Sequence, residues 1–443
     1  MDVDTLVKQV ASGAASSENI VKHYLNRIDD TDTELGAWQS VNEAQALEQA
    51  READNNRKHG KTIGALHGIP VGIKDIIDTA GLATERGSSI YSGRVPDTNA
   101  AIVEKLREAG AVILGKTVTT ELAWMHQSVT KNAVNHDFSP GGSSSGSAAA
   151  VAAGQVPLAL GTQTGGSVIR PAAYNGVYGL KPSRGLISRR GVLQTSQTLD
   201  HVGVFGNHLS DICTLTDALI GFDAEDSSTY LGPKPALSAG YKSEVPVEPA
   251  FVWIDMPYRD RYSQTLNEGV DELCHVLSNE TKATLDRIPA PQSFSALPGC
   301  HQVIYDVEIL KSLDTEWNQH RDKLSDTARN GLQRAESRSQ DEYEEALGIL
   351  SSAEDWFDTF FHDYDGILTP SAPDIAPKYG DGTGDSICCV VWTLCGLPCL
   401  SMPLLTGDNN MPLGIQLVGA RDRDDRLMRT ARWLIDALNS TDS

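Results

Sequence analysis

Two short segments rich in glycine and serine could do chemistry in this sequence. They are Pro140-Gly-Gly-Ser-Ser-Ser-Gly-Ser147 and Thr162-Gln-Thr-Gly-Gly-Ser167. Glycines directly before a serine let backbone amides approach a ligand oxygen, and amides aimed together at such an oxygen form an oxyanion hole. A flexible linker would share this composition. These segments, however, are interleaved with apolar pieces, Ala148-Ala-Ala-Val-Ala-Ala-Gly154 and Pro157-Leu-Ala-Leu-Gly161, as linkers are not. The Ala-rich piece reads as a helix that can pack closely on a sheet. Its N-terminus offers free amides and the positive end of the helix dipole.

Two other motifs compete for attention. Gly110-Ala-Val-Ile-Leu-Gly115-Lys116-Thr117 fits the phosphate-binding P-loop pattern. A true P-loop places a strand before its first glycine and a loop after it. Here a helix precedes Gly110 and the intervening residues are themselves strand-like, so their amides belong to sheet neighbours. Gly142-Ser-Ser-Ser-Gly146 fits the nucleophile elbow of α/β-hydrolases, centred on Ser144. That elbow needs a strand before it and an Asp and a His after it. What precedes it is the polar Asn135-His-Asp-Phe-Ser-Pro140, and His201, His208 and His301 follow without distinguishing context.

The elements that must position these serines are partly readable. Leu6, Val10, Ile20, Leu25 and Ile28 recur at helical spacing, with Ser16-Ser17 as an N-cap, and a further helix is predicted over 42–55. Ile69-Pro-Val-Gly-Ile73 reads as a buried strand that delivers Lys74 and Asp75, and Ala111-Val-Ile-Leu114 as another. Between them a helix carrying Ile102, Val103 and Leu106 ends at Gly110. This alternation runs to about residue 220 and predicts an α/β layered fold. Residues 223–300 are the least legible, apart from a strand at Phe251–Ile254. Residues 301–362 read as long surface helices. Strands return at 366–370, 399–403 and 414–419, and a helix over 424–438 closes the chain.

Composition narrows the function classes. A chain of 443 residues that is 40% apolar can bury a large core. A net charge of −22 repels phosphate backbones and anionic membranes, so neither nucleic acid nor a membrane is expected as a partner. The seven cysteines are odd in number and lack metal-ligand spacing, so no disulfide framework and no metal are expected. The acidic Met1-Asp-Val-Asp4 start does not resemble a signal peptide, and a cytoplasmic location is expected.

The ordered set of motifs resembles the amidase signature family. It comprises His67-Gly-Ile-Pro-Val-Gly-Ile-Lys74-Asp75, Gly115-Lys-Thr117 with Glu121-Leu-Ala123, Gly141 to Gly154, Gly161 to Ser167, Gly179-Leu-Lys-Pro182, and Ser196 with Leu199-Asp200. Thr369-Pro370, Gly396-Leu-Pro398 and Leu413 to Gly419 complete it. The resemblance implies an α/β fold with a large mixed, twisted β-sheet covered by helices on both faces. It implies one amidase domain over 1–443: N-terminal helices (1–60), the catalytic core (65–222), a variable loop and helical region (223–362), and C-terminal core strands and helix (363–443).

It also implies a catalytic trio of Ser167 as nucleophile, Ser143 after a cis peptide bond as proton relay, and Lys74 as base. A lysine can act as base only when burial keeps it neutral, and an apolar strand suits that. Thr164, Gly165, Gly166 and Ser167 are expected to form the oxyanion hole, and Arg170, Gln163, Ser144 and Trp124 to meet substrate. Many members carry Arg two residues after the nucleophile; Ser167-Val-Ile-Arg170 resembles the malonamidase-like branch, in which this arginine binds a substrate carboxylate. The alternative is that Arg170 pairs with a buried acid and shapes the loop. The implied function is acyl-enzyme hydrolysis of a small amide-type C–N bond, urea- or carbamate-like bonds included, without a cofactor. The alternative function is that of the glutaminase subunit in a tRNA-dependent amidotransferase. A small-molecule amide is the expected partner, and a homodimer stays open.

Overall fold

Valine, isoleucine and leucine at successive positions of one strand require apolar cover on both sides. The segment Val112–Thr117 meets that requirement. Val112 and Leu114 pack with Val21, Leu25, Ala46 and Ala148, while Ile113 packs in a second cluster with Ile102, Val103 and Leu106. Leu158 and Leu160 against Ala159 repeat the same division. The computed structural model, which describes residues 1–441, therefore has helices on both faces of one sheet.

The sheet has eleven strands: β1 (Trp38–Val41), β2 (Pro70–Lys74), β3 (Val112–Thr117), β4 (Leu158–Gln163), β5 (Tyr178–Lys181), β6 (His201–Gly206), β7 (Ala250–Asp255), β8 (Thr284–Pro289), β9 (Gly366–Pro370), β10 (Cys399–Thr406) and β11 (Pro412–Val418). Their order is β1-β3-β2-β4-β6-β5-β10-β11-β9-β7-β8. β3, β2 and β4 run parallel, as do β9, β7 and β8, and the pairs between these groups are antiparallel. The α/β layering read from the sequence and the large mixed sheet that the resemblance implies are thus present, and each of the four chain segments contributes strands to it.

Several elements differ from expectation. The first sixty residues include the edge strand β1 besides helices Val3–Ser12, Ser17–Leu35 and Glu43–Lys58. The illegible stretch holds helix Gln264–Asn279 and strand β8, which exposes most of its residues and so lacks a strong apolar signature. Helix Ile387–Leu394 was not anticipated. The charged segment 301–362 is not only surface: helix Leu297–Ser312 buries His301, Asp306, Glu308 and Ile309. Gly110 has φ +82° just before β3, and Lys116 lies inside that strand, so the P-loop-like string is ordinary sheet. Among the described residues no helix is long and apolar enough to cross a membrane.

Candidate active site

β2 ends in Lys74, and its parallel register with β4 sets Ile73 opposite Leu160, which brings Lys74 level with Gly161 and Thr162. Lys74 is fully buried. Its Nζ lies 2.7 Å from Ser143 Oγ, 2.9 Å from Ser144 Oγ and 2.8 Å from Thr162 Oγ1. Burial holds its pKa well below the usual ammonium value, and the charge of Asp200 opposes part of that shift.

The hydroxyls around Nζ are not equivalent. Ser144 Oγ donates to the Thr162 carbonyl and accepts the Thr162 N–H, both at 3.2 Å. Toward Lys74 it can therefore only accept. Ser143 Oγ has no other protein partner among the described residues, so its hydrogen is available to the lone pair of a neutral amine. The geometry separates Ser143 from Ser144, which the Gly-x-Ser-x-Gly pattern alone would have favoured.

The peptide bond Gly142–Ser143 is cis. The Gly142 carbonyl accepts from Arg170 Nη2 at 2.7 Å, and the Ser143 carbonyl accepts from Thr120 N–H and Thr119 Oγ1, each at 3.2 Å. The helix that follows, Ser145–Ala152, lies almost in contact with backbone: a Cβ on Gly146 would meet the Ala37 carbonyl oxygen at 2.2 Å and the Val118 nitrogen at 2.5 Å. Glycine is required there by space.

The segment Thr164–Ser167 leaves β4 before helix Ile169–Asn175. Gln163 braces it from below. Its Oε1 accepts Val168 N–H at 2.8 Å and Ile169 N–H at 3.0 Å, and its Nε2 donates to Thr393 Oγ1 at 2.9 Å. Thr393 Oγ1 in turn donates to the Gly165 carbonyl at 2.7 Å. Asp200 accepts the Thr164 hydroxyl at 2.5 Å, along with Thr195 and Ser196 N–H, and burial raises its pKa. The N–H groups of Gly165, Gly166 and Ser167 have no acceptor among the described residues. Gly166 is buried and Gly165 and Ser167 are half-buried, so three successive amides without a protein acceptor mark a place for an outside one.

These amides border a cleft of about 380 Å³. Ser167 is half-buried and lines it, whereas Ser143 is only 2% exposed and Lys74 fully buried. Trp124 and Tyr305 form one wall, edge to face with centroids 5.7 Å apart. Arg261 and Asp385 form an ion pair on another. Arg170 also borders the cleft, nearly completely buried. Its Nη1 donates to the Gly384 carbonyl, its Nε has no partner, and among the described residues no carboxylate lies within ion-pair distance. The alternative pairing of Arg170 with a buried acid is therefore absent; backbone carbonyls hold it instead.

Of the four expected substrate contacts, Arg170 and Trp124 face the cleft. Ser144 and Gln163 do not: both are buried and spend their polar atoms on Lys74, Thr162, Thr393 and backbone amides. Sequence reading missed Thr162 as a neighbour of Lys74, Thr393 and His301 as braces, and Tyr305, Arg261 and Asp385 as cleft walls. Thr162 alone had a local signal, since it continues the strand beside β2. His201 lies in β6 with Nδ1 on the Leu199 carbonyl at 2.6 Å, apart from a hydrolase-elbow arrangement.

Several known proteins are similar to this chain. The Amidase family profile matches residues 19–428. The chain is 31% identical to one component of the glutamyl-tRNA(Gln) amidotransferase of Symbiobacterium thermophilum, over 95% of this chain and 93% of that protein. The fold matches a chain of a vestigial protein complex related to the origins of an s-triazine catabolic enzyme, with a TM-score of 0.92, 25% identity and 98% of each chain covered. It also matches the peptide amidase of Stenotrophomonas maltophilia, with a TM-score of 0.84, 26% identity, and 98% of this chain and 96% of that one covered.

Proposed function

The chain belongs to the amidase signature family, whose members hydrolyse amides, and on that premise we propose that it cleaves a small amide-type C–N bond through an acyl-enzyme on Ser167. The observation that carries this reading is the buried Lys74, its pKa lowered by burial, with Nζ 2.7 Å from Ser143 Oγ, a hydroxyl that has no other partner among the described residues.

Neutral Lys74 takes the Ser143 proton as Ser143 takes that of Ser167. The Ser167 oxygen then bonds to the substrate carbonyl carbon, and the resulting oxyanion sits on the amides of the Thr164–Ser167 segment. Losing one such donor typically costs about 3 kcal/mol of barrier. The C–N bond breaks as the proton returns through Ser143 to the leaving nitrogen. Water adds to the acyl carbon by the same relay, releasing the acid and restoring Ser167.

A carboxylate on the substrate fits this cleft, because Arg170 is a buried guanidinium without a carboxylate partner. Planar guanidinium groups favour carboxylates. A second reading, the glutaminase component of a tRNA-dependent amidotransferase, draws support from the Symbiobacterium relative.

The test is ammonia or amine release by the purified chain from a panel of amides, ureas, carbamates and glutamine. S167A and K74A should abolish turnover, and full activity in either refutes the mechanism. R170A should raise KM most for carboxylate-bearing amides. Equal losses on neutral amides refute the carboxylate, and turnover of glutamine alone selects the second reading.

A further inference from the structure

Helix Leu297–Ser312 comes from the charged segment that carries none of the family motifs, yet three of its residues face the site. His301, Tyr305 and Glu308 lie at i, i+4 and i+7, one face of a helix. Tyr305 packs on Trp124. Glu308 accepts the Thr198 N–H at 2.9 Å and the Ser196 hydroxyl, and Ser196 N–H reaches Asp200 at 3.0 Å. His301 Nε2 lies 2.8 Å from the Thr164 carbonyl oxygen. A carbonyl can only accept, so Nε2 carries the hydrogen. Resting on the acyl-enzyme reading above, we propose that His301 is a positioning residue for the oxyanion hole, its Nε2–H holding the Thr164 carbonyl so that the Gly165 amide is aimed at the oxyanion.

The reason is peptide geometry. In a planar trans peptide the C=O and the following N–H point in opposite directions. Fixing the Thr164 carbonyl on His301 fixes the direction of Gly165 N–H, which has no acceptor among the described residues. Thr393 acts on the next peptide in the same way, through the Gly165 carbonyl. The Thr164 side chain is pinned as well, by Asp200. The imidazole is 6% exposed and lies against the loop: a Cβ on Gly165 would sit 3.7 Å from its Cε1. Burial lowers its pKa, so the ring stays neutral in the tautomer this bond requires.

The experiment compares H301Q, which keeps a side-chain N–H donor, with H301M, which has similar length and no donor. The amide turned over best by the wild type serves as substrate, and phenylboronic acid serves as the tetrahedral adduct probe. H301M should lower kcat about tenfold to hundredfold with KM within twofold. Its Ki for phenylboronic acid should rise by the same factor, and H301Q should stay within about threefold of wild type in both. Full kcat in H301M, a change confined to KM, or equal loss in H301Q and H301M overturns the proposal. Fluorophosphonate labelling of the wild type, located by peptide mass spectrometry, tests the nucleophile separately. An unlabelled Ser167 overturns the acyl-enzyme reading and this proposal with it; a labelled Ser167 with full kcat in H301M overturns the His301 role alone.

Discussion

Replacing Thr162 by valine should move the pH profile of the reaction in a direction set by the hydrogen-bond count at Lys74. A protonated lysine has three donors, and three hydroxyls stand within 2.9 Å of Nζ. A neutral lysine has two donors and a lone pair. Removing the Thr162 hydroxyl therefore deprives the charged form of an acceptor it needs more. A hydrogen bond from a charged donor is worth about 1.5–3 kcal/mol, and a neutral one about 0.5–1.5 kcal/mol. The difference, roughly 1 to 1.5 kcal/mol, corresponds to about one pKa unit. Lys74 is already held low by burial, and T162V should lower it further. The measurement is kcat/KM for an uncharged amide across pH. The acid limb should shift down by about one unit, with a modest fall in the plateau because the base is weaker. T162S, which keeps the hydroxyl, should leave the limb in place. An unmoved limb, an upward shift, or an equal shift in T162S refutes the reasoning.

Two other outcomes follow from the packing. Asp211 accepts the Val3 N–H at 2.7 Å, and burial, with Asp2 and Asp4 nearby, pushes its pKa up to about 7. An acid with a raised folded-state pKa keeps its proton between about pH 4 and 7 while the unfolded chain has lost it, so this group's contribution to stability falls as pH rises through that window. D211N should then raise the melting temperature at pH 8 more than at pH 5, with at most about 4 kcal/mol at stake; equal effects at both pH values refute this. In G331A the new Cβ would meet Trp124 Cζ2 at 2.3 Å, so the Trp124 wall must shift. Overpacking of this kind costs about 1–3 kcal/mol, and KM should rise with bulky acyl groups before small ones; an unchanged ratio counts against Trp124 as an acyl-pocket wall.

The strands around Lys74 were legible because their signals are local. Ile69–Ile73 is apolar throughout, so β2 and the burial of Lys74 could be read directly, and Gly110 marked a helix end before β3. Gln163 and Ser144 misled because both stand beside the serines in sequence while the strand and helix turn their side chains inward. β1 was missed because it has four residues, and β8 because an exposed edge strand needs no apolar alternation. Helix Leu297–Ser312 looked like surface because its charges are plain in sequence while their partners are not. Asp306 is completely buried, yet Arg334 and Arg338 satisfy it from a helix and a turn some thirty residues on.

The sequence by itself determined the motif set and, through it, the family, because Gly-Gly-Ser and Lys-Asp elements are contiguous and their chemistry depends on residue type. It also determined the paired apolar faces of the central strands. Tertiary structure alone separated Ser143 from Ser144 beside Lys74, since Ser144 spends its hydrogen on the Thr162 carbonyl and Ser143 does not. It alone decided that Arg170 rests on the carbonyl of the cis peptide, and that His301 and Thr393 reach the Thr164–Ser167 segment from 137 and 228 residues away. A side-chain donor and a backbone carbonyl leave no mark on each other's local sequence, so only the fold brings such pairs together.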